Sequence, residues 1–177
     1  MNKNQAYNAE LVKAMNWLGE QPDTIFLGQS VRYGGTGCYD SLTQVSDEKK
    51  LEFPVAENLQ IGVSTGLALN GYVPISVFPR WNFLICATDQ IVNHLDKLSL
   101  INPACRPKVI IRVAVGSETP VDPQEQHKGN FSEAFRQMCQ TIRIVELTNS
   151  EQIVDAYKEA YYHEQSSIIV EFPDYGK

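Results

Sequence analysis

The sequence predicts an α/β fold: a three-layer sandwich in which a mainly parallel sheet carries helices on both faces. Short apolar segments of roughly four to eight residues alternate with helix-like segments, the pattern of a parallel sheet. One of them, residues 108–115, is almost continuously β-branched, as in a strand that is buried on both faces. No repeat or linker divides the 177 residues, so we expect a single domain over residues 1–177.

Each element follows from a local pattern. Apolar residues at helical spacing predict a first helix over residues 4–18, which Gly19 and Pro22 end. Apolar or β-branched runs predict strands at residues 24–31, 51–55, 74–78, 108–115, 142–147 and 167–172. Helical spacing predicts further helices at residues 58–69 (rich in small residues), 84–100, 132–140 and 150–163, the last capped by Ser150.

Composition excludes several classes of function. The formal net charge is −6 without a basic cluster, which disfavours nucleic acid and anionic membranes as partners. The four cysteines form no Cys-x-x-Cys pair, and their spacing fits no zinc site, so we expect no metal ligands on this chain. No apolar run reaches the ~20 residues that span a bilayer, and residues 1–10 lack an apolar signal core. A reduced, cytoplasmic compartment is therefore expected.

Parallel sheets bind ligands at the carboxyl ends of their strands, so chemistry is expected in the loops after residues 31, 55, 78 and 115. Glu57 lies where a strand passes into a helix. A carboxyl group beside apolar surface can keep its proton at neutral pH and act in proton transfer. The alternative is a carboxylate that only interacts favourably with the helix dipole.

Two further loops carry candidate residues. Residues 78–83 hold three aromatics that could form a flat apolar wall for a ring, unless Phe78 and Phe83 are core and Trp81 packs in a subunit contact. His127 lies in a polar loop, residues 116–130, and could contact an anionic substrate or shuttle a proton, unless it is idle.

Two nearby residues are expected to have no chemical role. Cys86 is expected to be a buried structural cysteine rather than the partner of a histidine. Asp96, with Asp89 and Asn93, is expected on a solvated or interface stripe rather than in a metal site.

Four segments in chain order resemble the pyrimidine-binding domain of thiamine diphosphate enzymes. The likeness is greatest to the beta subunit of the dehydrogenases that act on pyruvate and branched-chain 2-oxo acids. The segments are residues 25–35, residues 54–74 with Pro54-Val55-Ala56-Glu57 at the start, Asp89-Gln90-Ile91-Val92-Asn93, and residues 109–127 with Gln126-His127 at the end. Several motifs in the right order are more specific than any one of them.

The resemblance implies a role for each candidate residue. The matching glutamate, Glu57, would hydrogen-bond a ring nitrogen of the cofactor's aminopyrimidine and so activate it. Phe83 would pack on that ring, with Trp81 in the same wall and Leu59 also at the cofactor. His127 would face the substrate, a 2-oxo acid or a ketose. The reaction would be decarboxylation with acyl or ketol transfer.

The resemblance also implies a partner. In the family, a Gly-Asp-Gly motif and a later Asn hold the diphosphate through Mg²⁺. This sequence lacks Gly-Asp-Gly, and residues 34–37 form neither that motif nor a Walker loop. We therefore expect a chain that is inactive alone. A diphosphate-binding, alpha-like subunit would supply the motif and the Mg²⁺, and two such pairs would form a heterotetramer through residues 58–69 and 84–100.

Other departures leave the substrate open. We expect a chain without the third domain that is typical of family beta subunits, and therefore a small split pair. Gln29 stands where the family pattern has an acidic residue, and Lys128-Gly129 follows His127 in place of Ser-Gln. A non-catalytic regulatory or scaffolding subunit that keeps the fold and the interface is the alternative function.

Overall fold

A computed structural model describes residues 3–118 and 122–174 of the chain. Its centre is a six-stranded sheet in which every neighbouring pair of strands is parallel, in the order β2-β1-β3-β4-β6-β5. The strands are β1 (Thr24–Gly28), β2 (Lys50–Glu52), β3 (Val73–Phe78), β4 (Ile110–Ala114), β5 (Arg143–Glu146) and β6 (Ser167–Glu171). Because all strands run the same way, their carboxyl ends meet at one edge.

Helices cover both faces of the sheet and bury two separate apolar cores. The α-helices are α1 (Lys3–Glu20), α2 (Gly37–Asp40), α3 (Glu57–Leu69), α4 (Trp81–Leu84), α5 (Leu98–Ile101), α6 (Ser132–Met138) and α7 (Ile153–Tyr162). One core packs α1 and α7 against the strands, and the other packs α3, α4 and α6 against the opposite face. Both central strands, β3 and β4, are buried at every residue. The predicted parallel α/β sandwich is confirmed.

Within residues 3–118 and 122–174, no helix combines the length and the apolar character needed to cross a bilayer.

The first strand ends earlier than predicted, at Gly28 rather than at residue 31. Gly28 has a φ of +152°, and a Cβ there would lie 2.3 Å from the carbonyl oxygen of Val77, so only glycine fits. The chain then turns, and the Glu52 carboxylate accepts hydrogen bonds from the backbone N–H groups of Ser30, Val31 and Arg32 at 2.7–2.9 Å. Those N–H groups are therefore directed to a side chain, and they cannot extend the strand.

The predicted long helix over residues 84–100 is instead a series of short turns that begins at Trp81. A 3₁₀ turn (Ile85–Ala87) and a π turn (Gln90–Leu95) interrupt it. The π turn includes a hydrogen bond from the N–H of Asp96 to the carbonyl of Ile91 at 2.9 Å. Such a turn holds one extra residue and rotates the side chains that follow it.

Asp96 is fully buried, so the expectation of a solvated or interface position was wrong. Its carboxylate accepts backbone N–H groups from Gln140, Thr141 and Ile142 at 2.7–3.2 Å. Burial acts to raise the pKa of this carboxyl, but the hydrogen bonds from Thr141, Gln140 and Lys97 outweigh it and lower the pKa. Asp96 thus joins the helical turns to the segment that enters β5.

The last helix also begins differently from the prediction. Asn149, not Ser150, supplies the cap, because its side chain accepts the N–H of Glu151. A 3₁₀ turn (Ser150–Gln152) precedes α7. Asparagine and serine are about equally good caps, so the pattern alone does not separate them.

A buried ion pair joins the neighbouring strands β4 and β6. Arg112 and Glu171 are both almost fully buried, and the guanidinium donates two hydrogen bonds to the carboxylate at 2.6 and 3.0 Å. Tyr157 donates a further one at 2.6 Å. Burial acts to lower the pKa of Arg112, but Glu171 holds it above its ordinary value. Arg112 therefore stays charged and paired with Glu171.

Replacing Arg112 by Met should lower the free energy of unfolding by roughly 3–5 kcal/mol, because Glu171 would remain buried without its counter-ion. Urea unfolding of the isolated chain measures it. Arg112→Met with Glu171→Leu should recover most of the loss. Arg143→Gln, which breaks a partly exposed pair with Glu159, should cost less than about 1 kcal/mol. Equal losses in the two single variants would contradict a special role for the buried pair.

Candidate functional site

A recess lies at the carboxyl edge of the sheet, where β1 and β3 end. The connection after β1 packs into the core beneath α1, whereas the one after β3 packs into the opposite core. The two connections thus leave towards opposite faces, which is the position where open parallel sheets bind ligands. The lining includes Gln29, Pro54, Glu57, Gln60, Pro79 and Phe83. The cavity is small in the free chain, about 10 Å³, the size of one water site.

Glu57 is the first residue of α3, and its side chain is half-buried in the recess. Its carboxylate has no hydrogen-bond or ion-pair partner among the described residues. The N-terminus of a helix also favours a negative charge, so the position suits both interpretations of Glu57. What distinguishes Glu57 from an ordinary helix-start carboxylate is that it is half-buried and lines a recess.

Gln60 fixes the start of α3 against the sheet. It is almost fully buried, and its Nε2 donates to the Leu27 carbonyl, the Ser76 hydroxyl and the Val77 carbonyl at 2.9–3.3 Å. Since Gln60 lies three residues after Glu57, these bonds set where the carboxylate is held. Gln60 was not predicted to be a site residue, because a glutamine in a helix of small residues gives no sign that its side chain is buried.

The aromatic residues of segment 78–83 lie partly in the core and partly at the surface. Phe78 and Trp81 are 1% and 0% exposed, in the core between α4 and α6, and Trp81 packs on Phe131 and Phe135. Phe83 is half-buried and lines the recess. The expectation that Trp81 presents its ring to a ligand is therefore corrected: it supports α4 from beneath. Phe78 ends β3, and Trp81 and Phe83 lie on α4, so none of the three is in a loop.

His127 lies on a 3₁₀ turn (Glu125–His127) and packs on Phe83, with ring centroids 5.2 Å apart. Gly116 makes this possible, because a Cβ there would lie 1.8 Å from the His127 carbonyl oxygen. Lys128 pairs with Glu118 and Asp122 at 2.8 and 3.0 Å, which closes the loop. Residues 119–121 of the predicted loop lie outside the described residues.

Three buried polar atoms close to Phe83 have no hydrogen-bond partner among the described residues. They are Nε1 of Trp81, Oδ1 of Asn82 and Nδ1 of His127. Buried polar atoms are usually hydrogen-bonded, so each unsatisfied one needs an explanation. A bound ligand or a partner chain that supplies the missing hydrogen bonds is one such explanation.

Exposed apolar side chains lie on the segments that form the recess or directly follow them in the chain. Leu59 on α3 is 56% exposed, Val55 66% and Ile85 39%. Cys86 is also exposed, so the expectation of a buried structural cysteine was wrong. The side of α3 that carries Leu59 continues through Gly62 and Gly66 to Leu69, at a helical spacing of three to four residues. We call this set of residues, with Ile85 and Cys86, the contact face.

Solved structures place the fold in the transketolase class. The chain matches a structure described as split gene transketolase, inactive beta4 tetramer, with a TM-score of 0.69 and 19% identity over 98% of this chain and 52% of that one. Transketolase from Campylobacter jejuni matches with a TM-score of 0.75 and 14% identity over 94% of this chain and 25% of that one. The fold is thus a transketolase-like parallel α/β fold.

Several known proteins are also similar to this chain in amino-acid sequence. Pyruvate dehydrogenase E1 component subunit beta, mitochondrial, is 26% identical over 162 residues in both Rattus norvegicus and Homo sapiens, covering 86% of this chain and 43% of each relative. The 3-methyl-2-oxobutanoate dehydrogenase subunit beta of Mycobacterium tuberculosis is 34% identical over 70 residues, 40% of this chain and 17% of that protein. No family model matches.

These relatives confirm the predicted resemblance. The chain is a homologue of the beta subunits of 2-oxo acid dehydrogenases, with a transketolase-like fold. It spans less than half the length of the curated relatives that it matches.

Replacing Gly116 by Ala should displace the His127 loop, because the new Cβ would overlap the His127 carbonyl. We expect the ring contact between His127 and Phe83 to be lost, with a destabilisation of roughly 1–3 kcal/mol. NMR shifts of the His127 ring protons report the contact. Gly37→Ala is the control, since its Cβ would meet no atom within 4 Å. An unchanged His127 spectrum in Gly116→Ala would show that the close approach is not maintained in solution.

Proposed function

We propose that this chain is the pyrimidine-binding subunit of a split thiamine diphosphate enzyme that acts on a 2-oxo acid or a ketose. One observation carries the proposal: Glu57, Phe83 and His127 come from three separate segments and converge at the switch point of the sheet. Glu57 and Phe83 line the same recess, and Phe83 packs on His127. The homology to thiamine-dependent beta subunits supports the identity of the cofactor.

The residues of the recess fit an aminopyrimidine ring. Glu57 offers a carboxyl group without a partner, Phe83 offers a ring face, and Leu59 adds exposed apolar surface. Thiamine diphosphate, when bound, supplies a nucleophilic carbon that can add to a carbonyl group. Glu57 would share a proton with a ring nitrogen, a task for which a carboxylic acid in a water-poor seam is suited. Phe83 would stack on the ring, and Trp81 would hold α4 in place beneath it.

His127 would act on the substrate side. Its Nδ1 is buried and has no partner among residues 3–118 and 122–174, so one nitrogen of the imidazole is available to a group that arrives with the substrate. The contact with Phe83 places that nitrogen's ring beside the recess. We propose that His127 donates or accepts a hydrogen bond at the reacting substrate rather than at the cofactor ring.

The other half of the site would come from a partner subunit. The chain lacks Gly-Asp-Gly, so an alpha-like subunit would bind the diphosphate and the Mg²⁺. The match to a split gene transketolase that is described as an inactive beta4 tetramer supports a chain that is inactive alone. Two alpha–beta pairs in a heterotetramer would enclose each cofactor at an interface. The four cysteines are free thiols, which supports the cytoplasm as the compartment.

The contact face is the surface that would meet this partner. Leu59, Leu69 and Ile85 are exposed there, and exposed apolar side chains around a recess are typical of an interaction site. A Cβ at Gly66 would meet no atom within 4 Å, and at Gly62 only the end of Gln90 at 3.8 Å. The two glycines are therefore not required by the packing of this chain, but they would let a partner helix approach closely.

A regulatory or scaffolding subunit would use the same face without chemistry. It would need no carboxylic acid at the recess and no histidine beside Phe83. Assembly alone cannot separate the two functions, so the experiment must measure turnover and assembly in the same variant.

Replacing Glu57 by Gln should abolish turnover and leave assembly intact. The chain is mixed with the product of the neighbouring reading frame that carries Gly-Asp-Gly, together with thiamine diphosphate and Mg²⁺. Release of carbon dioxide from 2-oxo acids, or ketol transfer from ketoses, is followed. We expect a loss of at least about 100-fold, the lower range for a positioned acid–base group. Glu48→Gln, at an exposed carboxylate that does not line the recess, is the control and should stay active.

The outcomes separate the two functions. Full activity of Glu57→Gln would refute the cofactor-activating role. A variant that no longer assembles would assign Glu57 to the interface. A wild-type pair that assembles without any turnover would favour the regulatory subunit.

Replacing Gly66 by Leu should block assembly without unfolding the chain. The new side chain would project into open space in the free chain but into the partner in the pair. Thermal unfolding of the isolated variant should match or exceed that of the wild type, because leucine has a better helix propensity than glycine by up to about 1 kcal/mol. Analytical ultracentrifugation with the partner should show weaker association.

Asp155→Leu is the matched control for this surface. It adds the same side chain at an exposed position of α7, on the opposite face of the sheet. If both variants assemble equally well, the contact face is not the interface with the partner.

A further inference from the structure

We propose that Arg80 binds the anionic group of the substrate, in a groove beside the recess. The identity of that anion, a carboxylate or a phosphate, rests on the proposed function. The groove has a volume of about 540 Å³, and Arg80 lines it together with Thr36, Asn8, Ala114 and Ser117. Pro79 lines both the groove and the recess of Glu57, so the two cavities adjoin.

Arg80 is the one buried or half-buried cation without a partner among the described residues. It is half-buried, and its guanidinium makes no hydrogen bond or ion pair there. Each other such cation has an ion pair, a hydrogen bond or a ring contact. These are Lys49, Lys50, Lys97, Lys108, Arg112, Lys128, Arg143 and Lys158.

The other charges of the groove are already engaged or exposed. Arg112 and Glu171 neutralise each other in a bidentate pair. The Asp174 carboxylate accepts the backbone N–H of Glu118 at 2.6 Å. Asp40 is exposed on α2 and forms no ion pair with Arg80. Arg80 therefore contributes a positive charge that no carboxylate of the groove compensates at contact distance.

The chemistry of the guanidinium selects the class of ligand. Its planar set of N–H donors matches the two oxygens of a carboxylate or of a phosphate. Partial burial makes such an ion pair stronger than one in open water. A small 2-oxo acid or a phosphorylated ketose could place its anion at Arg80 while its carbonyl group reaches the adjoining recess. Arg80 would thus select substrates by charge, and Glu57 would act at the cofactor.

Binding of small anions to the isolated chain tests this assignment without a partner or a cofactor. The chain is titrated with pyruvate and, separately, with inorganic phosphate at constant ionic strength, and the Nε–H signals of the arginines are followed by NMR. We expect a saturable shift of the Arg80 signal with at least one anion. Arg80→Gln should weaken that binding at least about tenfold. Arg32→Gln is the matched control, because Arg32 is exposed and does not line the groove.

Each result decides the assignment. Binding that Arg80→Gln abolishes and Arg32→Gln preserves supports it, and the stronger of the two anions indicates the substrate class. No saturable binding, or equal binding by Arg80→Gln, overturns it. Anion binding through Arg80 with a reconstituted pair that never turns over would refute the proposed function and leave the anion site standing. In an active pair, Arg80→Gln should raise KM at least about tenfold with a much smaller change in kcat.

Discussion

The site depends on one buried side chain, the amide of Gln60, which ties the start of α3 to the ends of β1 and β3. Its three hydrogen bonds satisfy backbone carbonyls and the Ser76 hydroxyl at the place where the two connections diverge. Gly28 allows this close approach, since any side chain there would collide with Val77. A buried amide that lost these partners would leave several polar groups unsatisfied, each at a cost of about 1–3 kcal/mol. The hydrogen bonds of Gln60 thus fix the position of Glu57 at the start of α3.

The sequence predicted most of the fold because its strands are short, β-branched and buried on both faces. Residues 108–115 are the clearest case, and the strand there is buried throughout. The prediction of element boundaries failed where a side chain redirects the backbone. Glu52 takes the N–H groups that would have extended β1. Asp96 draws the helical turns towards β5. Neither interaction has a local signature, since each joins residues at least 20 positions apart.

The candidate site was predictable in part for the same reason. Glu57, Phe83 and His127 follow strand ends, and parallel strands bring such residues to one edge. Trp81 was placed wrongly, because a tryptophan in a short apolar stretch is equally typical of a core and of a ligand wall. Arg80 was not predicted, because only the three-dimensional structure shows that its guanidinium pairs with no carboxylate of the described residues.

The exposed thiol on the contact face has a practical consequence. Cys86 is accessible, whereas burial raises the pKa of Cys38 to about 11 and that of Cys139 to about 12, which suppresses their thiolates. Alkylating reagents should therefore discriminate strongly in favour of this sulfur over those two. If the proposed partner binds the contact face, a label on Cys86 would lie within that interface, and stopped-flow fluorescence could measure how fast the two chains associate.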